Sequence, residues 1–145
     1  MLVYGHDDKI AEWTAGLIPH VDEFEKYIGI GYVRHDRLIA GFVFNEYHSK
    51  FGTIQLSMAA LSPMWARKDV IAEVLRYPFE QLGCHKVFTA TPADNVKAIK
   101  VNAHIGFRKE AILAHQFGKK RHCVMMRMLL PDYNRLIRKE DHGKK

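Results

Sequence analysis

Cysteine is scarce in this chain: Cys84 and Cys123 are the only two in 145 residues, and each sits inside an apolar run. That excludes a disulfide framework and any paired-cysteine metal motif, and it fits a reducing, cytoplasmic setting. The nine histidines are scattered, with no His-x-x-x-His pair and no Cys/His cluster at ligand spacing, so no metal site is expected. No apolar run approaches the roughly 18 residues of a membrane-spanning helix, and no charged-then-apolar leader is present. A soluble protein without a membrane partner is the expectation. Internal repeats and low-complexity segments are missing too, so nothing points to a solenoid or a disordered linker.

What remains is the length and charge of an ordinary folded domain, divided unevenly. The net charge of +6 conceals a split: residues 1–66 carry five Lys/Arg against eight Asp/Glu, a net of −3, whereas residues 67–145 carry seventeen against eight, a net of +9. A basic half suits nucleic acid, an anionic membrane surface or a phosphate-bearing cofactor, and an acidic half suits a cationic acceptor. The length predicts one domain over residues 1–131, with a polar basic tail over 132–145 that is either a frayed helix or disordered.

Periodicity sets the element order. "MLVYG" reads as a short strand, and Asp7 or Asp8 opens a helix through Leu17 with Ile10, Trp13, Ala15 and Leu17 available for burial. "IPHVDEFEKY" is a short helix or loop and the most acidic stretch. Residues 28–34 and 37–46 are rich in β-branched and aromatic residues and flank His35-Asp36, a hairpin signal. "TIQLSMAAL", residues 53–61, alternates as a third strand. From Asp69 to Leu82 the spacing turns helical, with Pro78 disturbing the helix because it lacks the N–H that would bond the Val74 carbonyl, and Gly83 ending it. "CHKVFTAT" is a buried strand, residues 95–105 a helix ended by Gly106, 107–114 a strand, and "HCVMMRMLL" the last strand. Meander and crossovers in one chain predict an α/β (α+β) fold: a mixed, mostly antiparallel sheet of six to seven strands with helices on both faces.

Two places concentrate candidate chemistry. In "SPMWARKDVIAEVL" a strand passes directly into a helix, whose first N–H groups lack backbone partners and so attract phosphate; Arg67 and Lys68 add cations there. In "NVKAIKVNAHIGF" Asn95, Ala98, Ile99, Gly106 and Phe107 stand at the separations of an Asn-x-x-Ala/Ser-Ile … Gly-Phe pattern. Together these stretches resemble the GNAT acetyl-CoA-dependent N-acyltransferases, well over residues 61–130 and by element order over 1–60.

The resemblance implies that the strands at 53–61 and 84–91 splay apart and that a pantetheine arm lies between them, bonding backbone near Ala60, Leu61 and Ser62. The diphosphate would rest on amides from Arg67, Lys68, Asp69, Val70 and Ile71 onward, with Asn95 on the far side of the gap. Two residues depart from the pattern. Asp69 stands at the phosphate-loop glycine, where a carboxylate could cap the amides that a diphosphate would use. Asn102 stands where many members carry a tyrosine acid, and an amide can donate a hydrogen bond to sulfur but not a proton. Ser57 and Gln55 form a polar row that could face the acceptor or hold a water relay. Glu23, Glu25 and Glu46 are read as surface acids, and both cysteines as core.

The expected activity is transfer of an acetyl group from acetyl-CoA to a primary amine (a protein N-terminus, a lysine or a polyamine-like molecule) by direct attack. The alternative is a degenerate fold of this kind kept as a binding or inhibitory protein. Nucleic-acid binding through "GKKR" and the tail weighs less, because aromatics are not interleaved with the cations. Assembly as a homodimer stays open.

Overall fold

In the computed structural model, which describes residues 1–18, 26–61 and 67–143, the elements run β1 (Leu2–Val3), α1 (Asp7–Leu17), β2 (Ile28–Arg34), β3 (Arg37–His48), β4 (Thr53–Ala60), α2 (Lys68–Arg76) with a π-helical turn over Tyr77–Gln81, β5 (Lys86–Pro92), α3 (Val96–His104), β6 (Arg108–Leu113), β7 (Cys123–Leu129) and α4 (Leu130–Gly143). The strands form one sheet in the order β1-β2-β3-β4-β5-β7-β6. Every pairing is antiparallel except β4 with β5. The mixed sheet expected from the sequence is therefore present. The acidic stretch 19–25, with Glu23 and Glu25, lies outside the described residues.

Local chemistry explains the joints. His35 and Asp36 both take positive φ, at 52° and 59°, as a two-residue hairpin turn between β2 and β3 requires. Past Val74 the missing N–H of Pro78 is accommodated by a widened turn. Tyr77 N–H bonds the Val74 carbonyl, and Leu82 N–H reaches back 3.0 Å to the Tyr77 carbonyl. Gly106, with φ +114°, turns the chain from α3 into β6.

Helices cover both faces. On one, α1 lies across β2, β3 and β4, burying Ile10, Ala11, Thr14 and Ala15. The expectation that Trp13 and Leu17 are buried fails in part. Trp13 is half-buried and Leu17 is exposed, because the sheet offers α1 a trough of glycines that selects its smaller side chains. On the other face Val70, Ile71, Val74 and Leu75 of α2 join Phe42, Phe44, Ile54, Leu56, Met126 and Met128 in the main core.

The segment read as a tail is α4. Its Tyr133 and Leu136 are buried in that core, and Tyr133 stacks on Phe79 with ring centroids 4.8 Å apart. No helix among the described residues is long and apolar enough to cross a membrane.

Candidate functional site

β4 and β5 run parallel but stay in register over only three rungs, Thr53 with Lys86, Ile54 with Val87, and Gln55 with Phe88. Beyond these the strands part, and a cleft of about 340 Å³ opens between Leu56–Leu61 on one side and Thr89–Thr91 on the other. Leu17 and Ile18 at the end of α1 line it, as do Asn95, Ala98, Val101 and Asn102 of the α3 region. The opening passes through the sheet. Leu56 is buried with α2 in the main core, whereas Ser57 alternates to the face covered by α1.

Backbone hydrogen bonding makes one wall of this cleft receptive. Leu61 N–H bonds the Ile39 carbonyl at 2.9 Å, and the antiparallel register with β3 carries that alternation down β4. Leu61, Ala59 and Ser57 thus commit their backbone groups to β3, whereas Ala60 and Met58 direct theirs toward the gap. An extended chain lying in the gap can pair with them as an added strand would.

At the start of α2 the first helical bond runs from Ile71 N–H to the Arg67 carbonyl at 3.0 Å. The N–H groups of Lys68, Asp69 and Val70 have no partner within the helix, and no side chain caps it. Asp69 does not fold over these amides. Its Oδ2 lies 3.0 Å from Arg67 Nη2 in an exposed ion pair, an arrangement worth little in water. The Val70 and Ile71 side chains are buried in the core, so only their backbone could meet a ligand, and the amide of Ile71 is already used. Lys68 instead lines a second, basic hollow of about 250 Å³ with His104, Arg108 and Arg135. Ser62 lies outside the described residues.

Of the other candidates, the cleft gathers Ser57, Leu61, Asn95 and Asn102. Asn95 is the N-cap of α3, its Oδ1 accepting from Ala98 N–H at 3.2 Å. Asn102 is buried, with Nδ2 3.4 Å from the Thr89 hydroxyl. Gln55 sits on the last rung of the joint and not in the cleft lining. Burial pushes both cysteine thiols up from their ordinary value, as suits core residues. Among the described residues no group of three or more His, Cys, Asp or Glu is placed to hold a metal.

Sequence reasoning passed over Thr89 and Thr91, which are buried and line the cleft. Their signal was available: hydroxyls at alternate positions of an otherwise apolar strand, "KVFTATP".

No family model and no curated protein matches this sequence. Solved structures do. A spermidine N-acetyltransferase from Vibrio cholerae in complex with CoA and spermine aligns with a TM-score of 0.74 at 16% identity, covering 92% of this chain and 97% of that one. Mutant forms of the spermidine/spermine N-acetyltransferase SpeG from the same organism give 0.73 at 15% identity, covering 93% of this chain and 97% of that one. The fold is that of these acetyltransferases.

Proposed function

We propose that this chain, which has the GNAT acetyltransferase fold, transfers an acetyl group from acetyl-CoA to a primary amine. The observation that carries the reading is the fork between β4 and β5. A gap through a sheet, with unpaired strand groups along one wall, has no structural use of its own but fits an extended pantetheine arm. Three helix-start amides beside Arg67 suit the diphosphate, and Asn95 closes the cleft opposite. The residues therefore fit the cofactor, with the Asp69 carboxylate drawn aside by Arg67.

When bound, acetyl-CoA supplies the activated acyl group; the chain's own contribution is position and polarity. Ser57 points to the α1 face, so the amine enters from that side while the cofactor occupies the α2 side. Ser57 would orient the amine or a water that takes its proton, and alignment in the gap supplies most of the rate gain. The neighbouring V. cholerae enzyme is solved with CoA and spermine, which supports an amine acceptor of the polyamine class alongside lysine and protein N-termini.

Thermal melts with and without CoA test the reading. A ligand specific to the native state adds about 2.7 kcal/mol at a hundredfold excess over its Kd, so a rise of several degrees is expected. A flat midpoint at millimolar CoA would overturn it and favour a binding protein built on this fold. Mass spectrometry of spermidine and peptide acceptors incubated with acetyl-CoA then identifies the acceptor.

A further inference from the structure

We infer that the Thr89 hydroxyl, aimed by Asn102, is the hydrogen-bond donor to the sulfur that leaves during acetyl transfer. The inference rests on the acetyl-transfer reading and goes beyond it by assigning a catalytic residue.

Position comes first. Gln55 and Phe88 form the last rung before the strands part, so Leu56 and Thr89 are the first residues beyond the fork. Leu56 offers no side-chain polar atom. The deepest polar side chain on the β5 wall is therefore Thr89, and whatever reaches the apex of the cleft meets its hydroxyl. Thr89 is in register with Met126 of β7 and two residues beyond Val87, which pairs with Ile54. Its side chain accordingly lies on the α2 side of the sheet, the side given above to the cofactor.

The hydrogen-bond pattern comes second. Thr89 and Asn102 are only 3% and 5% exposed. The Asn102 amide donates to Thr89 Oγ1 across 3.4 Å, which occupies a lone pair of the hydroxyl and leaves its proton for another acceptor. Among the described residues no acceptor takes it. A buried donor left without a partner costs about 1–3 kcal/mol, a penalty that a ligand sulfur at the apex would remove.

The chemistry balances without an outside reagent. The amine nitrogen forms a bond to the acyl carbon, the carbon–sulfur bond breaks, and sulfur leaves with the electron pair. The nitrogen's proton goes to water, and the thiolate later takes a proton from water. Thr89 keeps its own proton and only donates a hydrogen bond, which favours the anion over the thiol. Asn102 acts through Thr89, as a positioning residue that fixes the direction of the Thr89 O–H.

The test reads the thiol of bound CoA directly, by ultraviolet titration of the thiolate in the protein–CoA complex. Wild type is expected to lower the thiol pKa relative to free CoA. Thr89→Val, which keeps the shape and loses the hydroxyl, should raise it by about one unit, some tenfold less thiolate at a given pH, and should weaken CoA binding as the hydrogen bond to sulfur is lost. Thr89→Ser should restore the wild-type value and also serves if the valine variant folds poorly. Asn102→Ala should shift the value in the same direction as Thr89→Val, a change that a purely structural role would not produce. If CoA binds and its thiol titrates identically in wild type and Thr89→Val, this inference fails while the acetyl-transfer reading stands. If no protein variant binds CoA, both fail.

Discussion

A methyl group placed on Gly41 would lie 2.0 Å from Thr14 Oγ1 and 3.2 Å from the Trp13 ring. Backbone strain is not the obstacle, since Gly41 has ordinary strand geometry; the space is already occupied. Thr14 is fully buried and its hydroxyl donates to the Ile10 carbonyl at 2.6 Å, so it cannot swing away cheaply. Gly41→Ala is expected to cost about 2 kcal/mol through overpacking. Thr14→Ala in the same chain should recover much of that loss, and urea melts of the two single variants and the double variant measure the coupling. Strict additivity would mean that the two residues do not meet. The strand glycines were visible in the sequence, but their purpose was not, because nothing local tells a strand which helix will lie on it. That is why hydrophobicity nominated Trp13 and Leu17 for burial when shape selected Ala11 and Thr14. At the candidate site the same divide holds. Asn95 was legible as the start of a helix, whereas the link between Thr89 and Asn102 depends on how the crossover lays α3 against β5.

Helix α4 begins on a hydrogen bond that loops back: Leu129 N–H donates to Asp132 Oδ2 at 3.0 Å, in the manner of a capping box. Arg108, Arg127 and Arg135 surround the same carboxylate. Burial alone would raise the Asp132 carboxyl, but the Leu129 N–H and the guanidinium groups of Arg108 and Arg135 outweigh it and hold the group below the ordinary 3.8. Because the folded value is the lower one, the stabilisation is complete above pH 3.8 and is lost as pH falls through the folded value. Asp132→Asn should therefore be less stable than wild type at neutral pH, on the order of 2 kcal/mol, and denaturant midpoints of the two should converge in acid. A constant gap at all pH values would assign the loss to packing. Composition left this segment open between a frayed helix and disorder. "PDYNRLIRKEDHGKK" is polar on average, yet Tyr133, Leu136 and Ile137 recur at helical spacing, and only the groove between α2 and β7 gives that stripe somewhere to go. By contrast α2, with five buried apolar residues in nine, was legible outright, as was the break at Pro78.

At the scale of the molecule, the charge division and the fork coincide. Residues 1–66, net −3, supply α1 and β1 to β4; residues 67–145, net +9, supply every element from α2 onward. The sequence already disclosed the two charges and the element order, and the resemblance implied that the strands at 53–61 and 84–91 splay apart; that they hold together for three rungs and no more shows only in the structure. Register is a property of two strands together, and no single segment records it. The second half relies on its own last helix: Tyr133 donates to Glu80 and stacks on Phe79, while Leu136 closes the core beside them. A chain ending at Leu129 is expected to lose its cooperative thermal transition, as followed by circular dichroism and dye binding to exposed apolar surface. A sharp transition in that shortened chain would show α4 to be dispensable.

The three rungs at Thr53–Gln55 and Lys86–Phe88, continued by the Gly52 carbonyl accepting from His85 and Lys86, make the sheet two plates riveted at one corner. An occupant of the gap therefore serves as a splint as well as a guest, since it supplies crossbars that the polypeptide omits. If acetyl-CoA fills the gap as proposed, its arrival and departure would stiffen and loosen the same seam, so ligand uptake and rigidity of the whole sheet would rise and fall together.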